Sequence, residues 1–163
     1  MYKYPFKPGQ HVQGTEEGSL SGMTADRKIY VIRQEDPLNW HSTICMEPFV
    51  LSKQVGSSPA GTHGATVMSC ITDNLEIVPG STDNNVEAVH ILHSEVLRLY
   101  NILIDRSPTE SLTRISEWLT LPEFTPEQIP ELLPQMYAEN RRLSGFLFWH
   151  MPIGTSKPFT PKS

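Results

Sequence analysis

The chain has 163 residues, with thirteen Lys or Arg against eighteen Asp or Glu, a net charge of −5, and 38 % apolar residues. One domain is the expectation at that length. Two cysteines, fourteen prolines and no apolar run of membrane-spanning length exclude a disulfide scaffold, a coiled-coil fibre and a helical membrane protein, and the acidic balance argues against a basic nucleic-acid binder.

Residues 1–27 carry Pro5, Pro8, Gly9, Gly14, Gly18 and Gly22 with no periodic apolar pattern, which reads as an extended N-terminal arm. Met1 to Gln10 lacks the apolar centre of a secretory signal, so a cytoplasmic protein is expected. Within the arm, Tyr2, Tyr4 and Phe6 alternate with Lys3, Pro5 and Lys7. Disordered tails are poor in aromatics, and extended proline-bearing segments lose little entropy on docking. The pattern therefore predicts an arm that grips a neighbour.

Lys28–Glu35 is β-branched and apolar and stops at Asp36-Pro37, giving a first strand. His41–Lys53 is a second, in which Pro48 points to an edge or a bulge; Gln54–Pro59 then reads as a flexible connection. Ala65–Thr72 is a third, spaced to form a hairpin with the second, and a short Leu75–Val78 segment precedes the Pro79-Gly80 turn. Cys45 and Cys70 fall in apolar runs, as small buried hydrophobes do.

The second half is helical. Asn84 with Glu87 resembles a capping box, and Val89, Leu92, Val96, Leu99, Tyr100 and Leu103 then share one face as far as Asp105. Ile91 and Ile102 lie together off that face, so they touch either another helix of the same chain or a partner subunit. Ser107-Pro108-Thr109-Glu110 starts a second helix that reaches about Thr120. Thr125-Pro126-Glu127-Gln128 repeats the signal, but Pro130 and Pro134 are expected to break this segment into short turns before Gln135–Arg142.

Gly145–Met151 (GFLFWHM) reads as a closing strand, apolar on both faces. Residues 152–163 hold three prolines and form an extended C-terminal arm bearing Lys157 and Phe159. The two arms are basic and aromatic, whereas residues 8–156 hold nine basic against eighteen acidic residues. The expected fold is therefore α+β: one domain over 28–151, with an antiparallel sheet of about four strands, helices packed on one face, and an extended arm at either end.

Chemical motifs are sparse. Glu87-x-x-His90-x-x-His93 is half of a di-iron pattern, but the second half is missing and His90 and His93 diverge by about 60° around the helix. His41-Ser42-Thr43 matches one of the two His-x-Thr tripeptides of two-histidine phosphoesterases, with His150 as the one group that could approach His41 across a sheet. A phosphoesterase using His41, Thr43 and His150 is thus one alternative, and an intracellular adaptor domain is another. No nucleophile elbow, phosphate loop or Cys-x-x-Cys occurs. Twelve acids against three arginines between Asp73 and Glu139 would repel nucleic acid. No catalytic residue, cofactor or metal site is predicted; the candidate interface residues are Tyr2, Tyr4, Phe6, Ile91, Ile102, Lys157 and Phe159.

The order of the hairpin His41–Thr72, the long helix Asn84–Asp105 and the closing strand Gly145–Met151 resembles that of the small tail-terminator and head–tail joining proteins of tailed bacteriophages. The resemblance implies a non-enzymatic virion subunit, assembled in the host cytoplasm, that caps or joins a tube. Its partners would be copies of itself, a ring included, and other structural proteins.

Overall fold

The computed structural model describes residues 6–15, 27–35, 40–47, 65–106, 117–118 and 120–152. Five strands, β1 (His11–Gly14), β2 (Ile29–Gln34), β3 (His41–Met46), β4 (Thr66–Ile71) and β5 (Leu75–Ile77), form one antiparallel sheet in the order β4-β3-β2-β1-β5. Two helices of 21 residues, α1 (Val86–Arg106) and α2 (Ile129–Trp149), pack on one face of it. The α+β fold expected from the sequence is the fold observed.

The alternation of side chains explains why β2 is apolar throughout. Tyr30 and Ile32 point, with Cys45 of β3, into the core shared with both helices. Ile29 and Val31 point the other way, into a second cluster with Val12, Ile44, Met46, Met68 and Leu75. The pairing of β2 with β3 slips by one residue between Val31 and Arg33. Without that bulge Arg33 would lie on the face of Ile29 and Val31. The extra residue, Ile32, places Arg33 opposite Thr43 and so on the helix side.

Two strands differ from expectation. The expected N-terminal arm contributes β1, the fourth strand across the sheet, and Phe6 is buried in the second cluster rather than presented to a neighbour. Gly9 holds this segment in place. Its φ is +79°, and a Cβ there would sit 2.9 Å from the Asn84 Cα and the Asn85 nitrogen, so only glycine fits without strain. Asn85 Nδ2 in turn donates to the Gly9 carbonyl at 2.8 Å. Asn84 is left-handed, with φ of 58°, and α1 begins at Val86, two residues after the expected cap.

The expected closing strand Gly145–Met151 is instead helical through Trp149, as the last turn of α2. Pro130 and Pro134 do not interrupt this helix. Pro130 lies in its first turn, where its N–H would have no partner anyway. Pro134 deprives only the Pro130 carbonyl of a donor, and both prolines are exposed to water. The buried residues Ile129, Leu132, Leu133, Met136 and Leu143 set a helical period that carries through the apolar run. The Thr125–Gln128 capping box forms as expected, ahead of a 3-10 turn at Pro126–Gln128. The second predicted helix lies mostly outside the described residues; its Glu117 and Trp118 are helical.

Candidate functional site

The C-terminal end of α2 stands beside the edge strand β4. His150 takes a left-handed conformation, with φ of 55°, and its N–H returns to the Gly145 carbonyl. The chain folds back, and Met151 also donates its N–H to that carbonyl at 3.0 Å. A Cβ at position 145 would lie 3.2 Å from the Met151 sulfur, so glycine lets Met151 lie close over the helix. The result is a cleft of about 250 Å³ between Val67 of β4 and Tyr137, Arg141, Ser144, Trp149 and Met151. Trp149 is 75 % exposed, Met151 58 % and Phe148 46 %. An aromatic cluster left this open on a folded chain marks an interaction surface more often than an enzyme pocket.

The electrostatics of the cleft are unlike the rest of the helical layer. The guanidinium of Arg33, brought to this face by the bulge, lies 4.9 Å from the centre of the Tyr137 ring, and that of Arg141 lies 5.8 Å from it. Both are in cation–π range. Neither arginine makes an ion pair among the described residues, and the Arg33 Nε is buried with no acceptor. The next carboxylate along the chain, Glu35, just past the end of β2, is already engaged. It accepts from Thr43 Oγ1 at 2.8 Å and from Ser69 Oγ at 2.5 Å. Among the described residues no strand pairs with the outer side of β4.

The residues singled out from sequence fall elsewhere. Tyr2, Tyr4, Lys157 and Phe159 lie outside the described residues. Ile91 and Ile102 are half-buried and pack on the main core of their own chain. His41 is exposed at the start of β3, opposite Ile71, whereas Val67, which lines the cleft, pairs with Cys45 at the other end of the hairpin. Thr43 is buried against Glu35, and His150 is the exposed cap of α2. Neither histidine lines the cleft, so the structure supplies no acid–base pair of the phosphoesterase kind there.

His93 is buried, with Nε2 2.8 Å from the Trp118 carbonyl, while His90 is exposed against Phe124. Burial lowers the His93 pKa below its ordinary 6.5. No three His, Cys, Asp or Glu residues converge as a metal site among the described residues. Burial raises Cys45 to about 12 and Cys70 to about 11, so both thiols stay protonated and unreactive at neutral pH.

Sequence reasoning missed Phe148, Trp149, Met151, Arg33 and Arg141. The signal available for one of them, Arg141, was the Arg141-Arg142 pair together with the helical period of α2, which turns Arg142 inward and Arg141 outward. Comparison with protein-family profiles, with curated protein sequences and with solved structures gives no match to this chain. No helix among the described residues is long and apolar enough to cross a membrane.

Proposed function

We propose that this chain is a non-enzymatic assembly subunit that binds neighbouring protein chains through the cleft at the end of α2. The observation that carries the reading is the exposure of Trp149 and Met151 in the cleft beside Val67 of β4, with Phe148 exposed next to Trp149 on the helix. Leaving those side chains in water forgoes about 25 cal/mol for each Å² of apolar area that a partner would cover. β4, which no strand among the described residues pairs on its outer side, adds a second means of attachment. The acidic body disfavours nucleic acid as a direct ligand.

The setting we favour is a phage tail or neck, assembled in the host cytoplasm, with copies of the chain and other structural proteins as partners. It rests on the β3–β4 hairpin followed by the long helix α1; the third element of that comparison is helical, not a strand. Light scattering on the full chain across a concentration series tests the assembly reading. The expected mass rises above the 18.4 kDa of one chain, and Trp149→Ser returns it toward that value. A single-chain mass at every concentration, unchanged by the substitution, would remove the basis for assembly through this surface.

A further inference from the structure

A second hollow lies just ahead of α2, at the end of the helix opposite the cleft. It has a volume of about 490 Å³ and is lined by Val86 and His90 of α1 with Leu121, Pro122, Glu123 and Phe124. Val86 is 38 % exposed, so this too is an apolar surface left open. Its rim is acidic: Glu123, Glu127 and, next to Val86, Glu87 are all exposed, and none of them makes an ion pair among the described residues. The α2 helix between the two features is about 31 Å long at 1.5 Å per residue.

We infer that the chain associates head to tail, the Trp149 and Arg141 end of α2 in one copy seating on the Val86–Phe124 hollow and its Glu123 rim in the next. The argument rests on complementarity of both shape and charge. One end projects an indole beside Arg141, with Arg33 on the Tyr137 ring, and neither arginine has an acidic partner among the described residues. The other end offers an apolar depression bordered by acids that have no cationic partner among the described residues. A symmetric, two-fold contact of the cleft with itself is disfavoured, because it would bring Arg141 of one copy toward Arg141 of the other around an already cationic ring system. A head-to-tail contact leaves both binding ends occupied in every interior copy, and such contacts close into rings or extend as filaments. This inference builds on the assembly reading above and specifies its geometry.

Charge reversal separates the two. Arg141→Glu and Glu123→Arg both alter exposed side chains, so each variant should keep the wild-type far-ultraviolet circular dichroism. Sedimentation velocity is then run on the full-length chains. If wild type associates, each reversal should weaken association at least tenfold. The double variant R141E/E123R should recover it, and a 1:1 mixture of the single variants should form mixed dimers, since each retains the end the other has lost. Association that is unaffected by either reversal, or lost in Arg141→Glu but untouched by Glu123→Arg with no recovery in the double variant, overturns the head-to-tail geometry while leaving the assembly reading in place. A wild-type chain that never associates overturns both.

Discussion

Two arginine–tyrosine arrangements are built around consecutive residues of α2, Arg141 and Arg142, and they serve different purposes. In the first, Arg142 grips the fully buried Glu139 with Nε 2.6 Å from Oε1 and a terminal nitrogen 2.8 Å from Oε2, while Tyr100 of α1 donates its hydroxyl to the same carboxylate. Arg142 also donates to the Tyr100 oxygen at 3.0 Å, closing the triangle. In the second, Arg141 and Arg33 lie against Tyr137 and make no ion pair among the described residues. A buried arginine supplied with its own acid fixes how α1 meets α2. An arginine held only by a ring keeps its strongest hydrogen bonds for something outside the chain.

The sharpest way to break that contrast is Glu139→Ala, which takes from Arg142 the carboxylate it grips. Removing one partner of such a pair costs about 3–5 kcal/mol, to be read as a shift in urea midpoint. A loss below about 1 kcal/mol would mean that the triangle does not fix the helices. Tyr100→Phe removes the hydrogen bond donated to Glu139 and the one accepted from Arg142 but leaves their ion pair, and should cost about 1.5–3 kcal/mol. Tyr137→Phe keeps the ring that both free arginines use, so its midpoint should stay within about 0.5 kcal/mol of wild type. Equal losses in the two phenylalanine variants would erase the distinction.

Acid should act on a third polar contact of the same helical layer. Burial lowers the His93 pKa, so the unfolded chain takes up the proton first as pH falls below 6.5. The stability that neutral His93 contributes is complete above that pH and is lost below it, toward its folded-state pKa. His93→Gln should accordingly flatten the fall in urea midpoint between about pH 7.5 and pH 5. An identical pH dependence in the two proteins would count against it. The smallest expected effect is that of Arg141→Ala, within about 0.5 kcal/mol in stability, since the side chain is exposed and its interaction with Tyr137 is a surface cation–π pair.

How much of this could be read from the sequence depended on how locally each feature is encoded. The stripe of α1, the β3–β4 hairpin and the Thr125 capping box each depend on residues within a few positions of one another, and all three are where periodicity and capping chemistry place them. Strand β1 was not legible, because four residues with one buried side chain, Val12, show no period. Gly145–Met151 was misread because a short run of consecutive apolar residues satisfies a two-residue and a 3.6-residue period alike. The decision came from the longer pattern behind it, and the exposure of Pro130 and Pro134 let that pattern continue. The candidate site was the least legible part. Arg33 reaches the Tyr137 ring only because one extra residue is inserted at Ile32, a register choice made between two strands and visible in neither alone.

A photo-crosslinking residue in place of Trp149, in the full-length chain at a concentration where it associates, tests the central claim most directly. Illumination followed by peptide mass spectrometry should give crosslinks between chains that map to residues 121–124 or 86–90 of the second copy. Crosslinks between the two substituted positions themselves would show a two-fold contact, and crosslinks confined to one chain would show that the end of α2 is not an interface. Either result would contradict the account.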